Sequence, residues 1–192
     1  AAVNLAKIAG DLRLLSSGPL AGLAEIRLPE VQPGSSIMPG KVNPVIPEMV
    51  TQVSFQVMGN DQVIAQAASA GVLELNAFLP LIAHNLLQSL ELLINAVHLF
   101  KEKCVEGIKA NESGCRYWLE KSHGFITALV PYLGYEQAAE MVKKALREGR
   151  KLREVVLESG LLTEADLEEI LAPDRLTKPG VTRLKGLKGR KR

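Results

Sequence analysis

Residues 45–70, VIPEMVTQVSFQVMGNDQVIAQAASA, contain the pattern that decides the fold. Apolar side chains recur along them every three to four positions, which predicts an α-helix with one buried face. Such a helix is roughly 39 Å long, and a second pattern of the same kind follows at residues 79–103. Two long neighbouring helices indicate a bundle, so we predict an all-α fold built on a long-helix bundle. The repeating positions are Ile46, Met49, Val50, Val53, Val57 and Ile64, then Ile82, Leu86, Leu90, Leu93, Ile94 and Val97.

The composition agrees with this prediction and excludes several classes of protein. Apolar residues make up 47% of the 192 residues and aromatic residues only 4%, which favours an aliphatic core between helices. The net charge of +2 is too small to indicate a nucleic-acid partner. The longest uncharged run, residues 75–90, is too short and too polar to span a membrane. Cys104 and Cys115 cannot form a disulfide framework, so we expect a cytoplasmic protein.

The segment before the first long helix is irregular. A helical pattern at the start of the chain stops near Leu15, and residues 18–44 are rich in glycine and proline. Long loops between strongly helical segments are often functional. Because the chain lacks an initiator Met and opens inside an amphipathic pattern, we expect it to be part of a longer polypeptide.

The helical patterns become shorter after Gly107. We therefore predict part of a central helical bundle at residues 1–106, a small helical domain at 107–178 and a basic flexible tail at 179–192. Thr163 and Asp166 have the spacing of a capping box, with Asp in place of the usual Glu, and predict the start of the last helix. The shorter patterns lie at residues 111–121, 135–148, 151–158 and 163–171.

The loop at residues 34–44, GSSIMPGKVNP, combines two hydroxyls, a cation and an amide between glycines. Gly34 and Gly40 allow the segment to move as a flap, and we use that name for residues 34–44. Lys41 and Asn43 are suited to holding one carboxylate of a small acid. Glu48 follows about one helical turn later and can orient another group. The residues alone leave an alternative open, in which the serines form a turn, the lysine is solvated and the glutamate favours a helix start.

These eleven residues resemble the signature of the fumarase/aspartase superfamily, and the resemblance covers nearly the whole chain to about Gly180. Within the superfamily, the residues after the flap are more similar to aspartate ammonia-lyases than to fumarases, which tend to have Thr-Gln-Cys after the Asn-Pro. Leu20 departs from the Arg that usually follows Gly-Pro in the family. Further resemblance lies at residues 18–19, 45–48, 56–60, 70–76 and 107–111.

The resemblance implies an activity and a role for each site residue. The expected reaction is the reversible elimination of ammonia from L-aspartate to give fumarate, with Ser35 as the general base that removes the Cβ proton. Ser36, Lys41 and Asn43 would bind the substrate, and Glu48 would pair with a histidine supplied by an upstream segment. No metal-ligand cluster is present, so we expect neither a metal nor a cofactor.

The resemblance also implies a homotetramer whose active sites are each shared between subunits.

None of the three histidines stands in a matching motif, and we interpret His84, His98 and His123 as structural. Two alternatives keep the fold, namely a fumarate hydratase and an inert fragment that acts only as an assembly module. A third, nucleic-acid binding by residues 183–192, is disfavoured because this basic segment has no aromatic residue to stack on bases.

Overall fold

The structure is a computed structural model that describes residues 1–181. The regular secondary structure of this part is helical apart from two strands of two residues each, with loops at residues 16–25 and 28–44, and the predicted all-α fold is confirmed. The long helices predicted at 45–70 and 79–103 are both present. The helices are α1 Ala2–Leu15, α2 Val45–Ser69, α3 Leu79–Lys103, α4 Glu112–Lys121, α5 Ile126–Leu133, α6 Tyr135–Glu148, α7 Leu152–Glu158, α8 Glu164–Ile170 and α9 Pro173–Leu176, and the strands are β1 Ile26–Arg27 and β2 Lys109–Ala110.

The chain divides into two compact units, Ala1–Cys115 and Arg116–Arg192. The predicted domain boundary between residues 106 and 107 remains a prediction, and most of the predicted tail lies outside the described residues. Each unit has its own aliphatic core. The first core contains Ala9, Val50, Phe100 and Cys104, with Leu5, Leu12, Leu28, Ile46 and Met49 packed against it. The second contains Leu129, Leu133, Ala138, Ala145, Leu152, Val155, Val156, Leu162, Leu167 and Ile170.

The helices α2 and α3 share a buried polar contact near their middle. Asn60 is only 3% exposed, and its amide donates to Gln88 Oε1 at 3.1 Å and to Ser89 Oγ at 3.0 Å. Gln56 donates to Asn60 Oδ1 at 2.8 Å. Because a slip of one helix would separate the buried Asn60 amide from its acceptors on α3, the contact fixes the axial register of α2 against α3. The flap-proximal end of α2 is therefore held in one position along α3.

The segment that leads to the flap pairs with the connection after α3. Strand β1 runs antiparallel to β2, with Ile26 opposite Ala110 and Arg27 opposite Lys109. Asn111 donates from its side chain to the Ala24 carbonyl, and from its backbone to the Glu25 carbonyl at 2.8 Å. This pairing joins residues more than eighty positions apart, and periodicity along the sequence does not predict it.

Two features of the second unit differ from the sequence-based expectation. The helix α5 lies outside the short patterns predicted from the sequence, because it contains Pro131, a residue that usually interrupts a helix. Leu129 and Leu133 are buried in the core, and their burial offsets the loss of one backbone hydrogen bond at the proline. The helix that begins after Thr163 is not the last one, since α9 follows at Pro173–Leu176.

The predicted capping box at the start of α8 is confirmed. The Thr163 N–H donates to Asp166 Oδ2 at 2.9 Å, and the Asp166 N–H donates to Thr163 Oγ1 at 3.2 Å. The hydrogen bonds from the Thr163 side chain and backbone lower the pKa of the Asp166 carboxyl below its usual value. A carboxyl whose pKa is lower in the folded state stabilises the fold above its unfolded pKa and loses that contribution as the pH falls through its folded pKa.

We therefore expect the unfolding free energy of the chain to fall on acidification from about pH 5 to about pH 3, and to fall less in Thr163→Ala. The substitution removes the hydroxyl that makes the largest contribution to the lowered pKa of Asp166. Urea denaturation followed by circular dichroism at both pH values measures the difference. Thr177→Ala is the control, because the Thr177 hydroxyl donates to the Pro173 carbonyl and contacts no carboxylate. Equal acid sensitivity of Thr163→Ala and the unmodified chain would contradict the expectation.

Candidate functional site

The base of the flap is closed by hydrogen bonds between its two ends. The Gly34 N–H donates to the Lys41 carbonyl at 2.7 Å, and the Asn43 side-chain amide donates to the Gly34 carbonyl at 3.0 Å. A Cβ atom on Gly34 would lie 2.5 Å from the Lys41 carbonyl oxygen and 2.9 Å from the Asn43 nitrogen. Gly34 is therefore required by the close approach of two backbone segments, and its φ does not lie in the left-handed region.

Gly40, the other glycine of the flap, is required for a different reason. Gly40 has a φ of +77°, a left-handed conformation that residues with a Cβ adopt at a cost, and nothing lies within 4 Å of its missing side chain. The left-handed φ is thus found at Gly40 and not at Gly34, and the role of both glycines as hinges of the flap remains a prediction. Between them, Ile37 is 86% exposed and Met38 is 52% exposed, so the tip of the flap faces solvent.

The hydroxyl of Ser35 receives two backbone hydrogen bonds. The N–H groups of Ile37 and Met38 donate to Ser35 Oγ at 3.1 Å and 3.2 Å. Two converging N–H donors would stabilise negative charge on this oxygen if its proton were removed. The pair of serines is the sequence signal for this turn, but the sequence does not show which backbone N–H groups would converge on Ser35.

The three predicted substrate-binding side chains lie on or beside the same turn. Ser36 and Lys41 are exposed, and the Lys41 ammonium makes no ion pair with any residue from 1 to 181. Asn43 uses one amide hydrogen within the flap and has a second one for another acceptor. The hydrogen bonds described above therefore bring the backbone of Lys41 and the amide of Asn43 next to Gly34, the residue that precedes Ser35.

Glu48 is placed by the first turn of α2, where its N–H donates to the Pro44 carbonyl at 3.1 Å. Its carboxylate does not contact the flap side chains through any hydrogen bond of the described residues. Glu48 Oε1 instead lies 3.8 Å from Nη2 of Arg13, in the last turn of α1. Sequence reasoning missed Arg13, because nothing in residues 2–15 distinguishes it from a solvated cation on a helix.

The described residues show neither a metal cluster nor a membrane span. No group of three or more His, Cys, Asp or Glu residues in positions 1–181 is arranged to hold a metal ion. No helix within this range has both the length and the apolar character needed to cross a bilayer. Of the three histidines, His84 and His98 are exposed, and His123 has a buried Nδ1 without a hydrogen-bond partner in the described chain.

Comparison with known proteins shows the class to which this helical fold and its serine-bearing flap belong. Residues 1–59 match the lyase family model, and residues 125–178 match the model of the fumarase C C-terminus. The chain is 53% identical over 184 residues to an aspartate ammonia-lyase of Pseudomonas fluorescens, covering 96% of this chain and 38% of that protein.

Solved structures give the same result. A fumarate lyase:delta crystallin structure from Brucella melitensis, with bound cobalt, is 56% identical and has a TM-score of 0.84, covering 93% of this chain and 38% of that one. A class II fumarase from Schistosoma mansoni is 43% identical with a TM-score of 0.82, covering 90% of this chain and 36% of that one. The chain therefore belongs to the fumarase/aspartase superfamily. It spans about 38% of the length of the curated relatives it matches.

Proposed function

We propose that the chain is part of a carbon–nitrogen lyase subunit that converts L-aspartate reversibly to fumarate and ammonia. The observation that carries this proposal is the pair of N–H groups that converge on Ser35 Oγ within the flap. A serine is a weak base, and such a pair of donors lowers the cost of forming its alkoxide. The aspartate ammonia-lyases that match this chain at 51–53% identity support the choice of substrate.

In the proposed reaction, the Ser35 alkoxide takes a proton from the carbon next to one substrate carboxylate. The electron pair left on that carbon spreads into the carboxylate, which becomes a dianion held by Lys41 and by the second amide hydrogen of Asn43. The carbon–nitrogen bond then breaks, ammonia leaves, and the double bond of fumarate forms. Closure of the exposed flap over the substrate would exclude water from these charges.

The remaining parts of the proposal concern assembly. Glu48 pairs with a histidine from an upstream segment, and the active sites are shared within a homotetramer. Large apolar side chains along α2 and α3 support an assembly through these helices, because Phe55 is 61% exposed, Leu87 64% and Ile94 58% in this chain. We place the protein in the cytoplasm, which suits its two free thiols, the buried Cys104 and the exposed Cys115.

Fumarate hydration is the second candidate, supported by the 43% identity to a class II fumarase. The test is an assay of the full polypeptide that contains this chain, on L-aspartate and on L-malate, following the ultraviolet absorbance of fumarate. We expect kcat/KM for aspartate to exceed that for malate by at least about a hundredfold. A preference for malate would overturn the assignment of aspartate as the substrate, and the assignment of the chain to its family would stand.

The isolated 192-residue chain is expected to show no turnover on either substrate. Mixing it with the missing part of the subunit should restore ammonia release. Turnover by the isolated chain would contradict the shared active site, and a mixture that assembles without activity would favour the inert assembly module.

A further inference from the structure

The ion pair between α1 and α2 connects a residue without an assigned role to the proposed site. Arg13 Nη2 lies 3.8 Å from Glu48 Oε1, and the two side chains are 44% and 36% exposed. Within residues 1–181, neither side chain makes another ion pair. At this distance the guanidinium attracts the carboxylate without a direct hydrogen bond. The attraction favours one orientation of the Glu48 side chain and leaves its second carboxylate oxygen available to accept a hydrogen bond.

The backbones that carry the two side chains are held by the apolar core. Ala9 lies one turn before Arg13 and is fully buried, and Val50, two residues after Glu48, is 1% exposed. Both belong to the same core cluster as Met49 and Leu12. Because this packing secures α1 against α2, and because a half-exposed ion pair adds little stability, the Arg13–Glu48 pair is not needed to hold the helices together.

The two charges also lie where each helix favours them. Arg13 is in the last turn of α1, whose carbonyl end attracts a cation, and Glu48 is in the first turn of α2, whose N–H end attracts an anion. The pair therefore joins the negative end of one helix to the positive end of the next, beside the segment that leaves the flap. An arginine suits this position, because its guanidinium stays charged and presents five donors in one plane.

We propose that Arg13 is a positioning residue that orients the Glu48 carboxylate for the histidine with which Glu48 pairs. This inference rests on the proposed function and adds a residue to it. Arg13 attracts Oε1, so that Oε2 points away from α1 and can accept a hydrogen bond from the imidazole. Without Arg13, the carboxylate is free to rotate about its χ angles, and the histidine loses its fixed orientation.

The first test uses the full polypeptide with Arg13→Met, which keeps a long side chain and removes the charge. We expect kcat for L-aspartate to fall about tenfold while KM stays within about twofold, since orientation of Glu48 matters in the transition state and not in substrate binding. Arg13→Lys should recover most of the activity, because a cation still faces the carboxylate. The matched control is Lys7→Gln, which removes the exposed Lys7–Asp11 ion pair from the same helix and should leave kcat unchanged.

A double-mutant cycle with Glu48→Gln separates positioning from a structural effect. If Arg13 acts through Glu48, Arg13→Met has no further effect on kcat in the Glu48→Gln background. Equal falls in both backgrounds, or a normal kcat for Arg13→Met alone, overturn the inference and leave the proposed function intact. A normal kcat for Glu48→Gln removes Glu48 from the proposed mechanism and the inference with it. Equal melting temperatures of the variants exclude partial unfolding as the cause.

Discussion

Replacing Ser35 by Ala in the full polypeptide is expected to lower kcat for L-aspartate by about 10³-fold and to leave KM within about threefold. The hydroxyl is the only group of the flap side chains that the proposal uses to accept the Cβ proton. Lys41 and Asn43 are untouched by the change, so binding of the carboxylate is preserved. Initial rates of fumarate formation over a range of aspartate concentrations separate the two parameters.

The control for this variant is Ser122→Ala. Ser122 Oγ also accepts a backbone hydrogen bond within an exposed turn, from the Gly124 N–H at 3.0 Å, but it lies outside the flap. Its removal should change kcat by less than about twofold, because it costs only a local hydrogen bond. If Ser35→Ala retained normal turnover with an unchanged melting temperature, the serine-base mechanism would have to be abandoned.

The fold was largely predictable because its main signals are local. The stripes in residues 45–70 and 79–103 follow the helical period over about seven turns each, and few other structures bury such a pattern. The helix α5 was not predictable in the same way, since Pro131 is a local signal against a helix and the burial of Leu129 is a tertiary effect. The pairing of β1 with β2 is likewise long-range and only two residues wide.

The same distinction between local and long-range signals applies to the candidate site. The flap could be found from sequence, because its serines, Lys41 and Asn43 are adjacent residues with a recognisable order. Two parts of its chemistry could not. The donors to Ser35 Oγ are backbone N–H groups, which every non-proline residue has, and Arg13 reaches Glu48 across 35 residues through the packing of α1 on α2.

Gly34→Ala is expected to disable the flap without unfolding the protein. The added Cβ would lie 2.5 Å from the Lys41 carbonyl oxygen and 2.8 Å from its carbonyl carbon. Both atoms are backbone, so the clash cannot be relieved by rotating a side chain, and the hydrogen bond from Gly34 N–H to that carbonyl must lengthen or break. Lys41 then moves away from Ser35, and we expect kcat/KM for aspartate to fall about 10²-fold.

This variant differs from Ser35→Ala in which kinetic constant changes. In Gly34→Ala, displacement of Lys41 weakens binding of the substrate carboxylate, so KM rises while kcat falls. In Ser35→Ala, loss of the hydroxyl lowers kcat alone. Gly10→Ala in α1 is the control, because nothing lies within 4 Å of its missing Cβ and alanine favours a helix by about 1 kcal/mol. Normal kinetics of Gly34→Ala would mean that catalysis does not need the closed base of the flap, and the stabilised alkoxide would then have to form in another conformation.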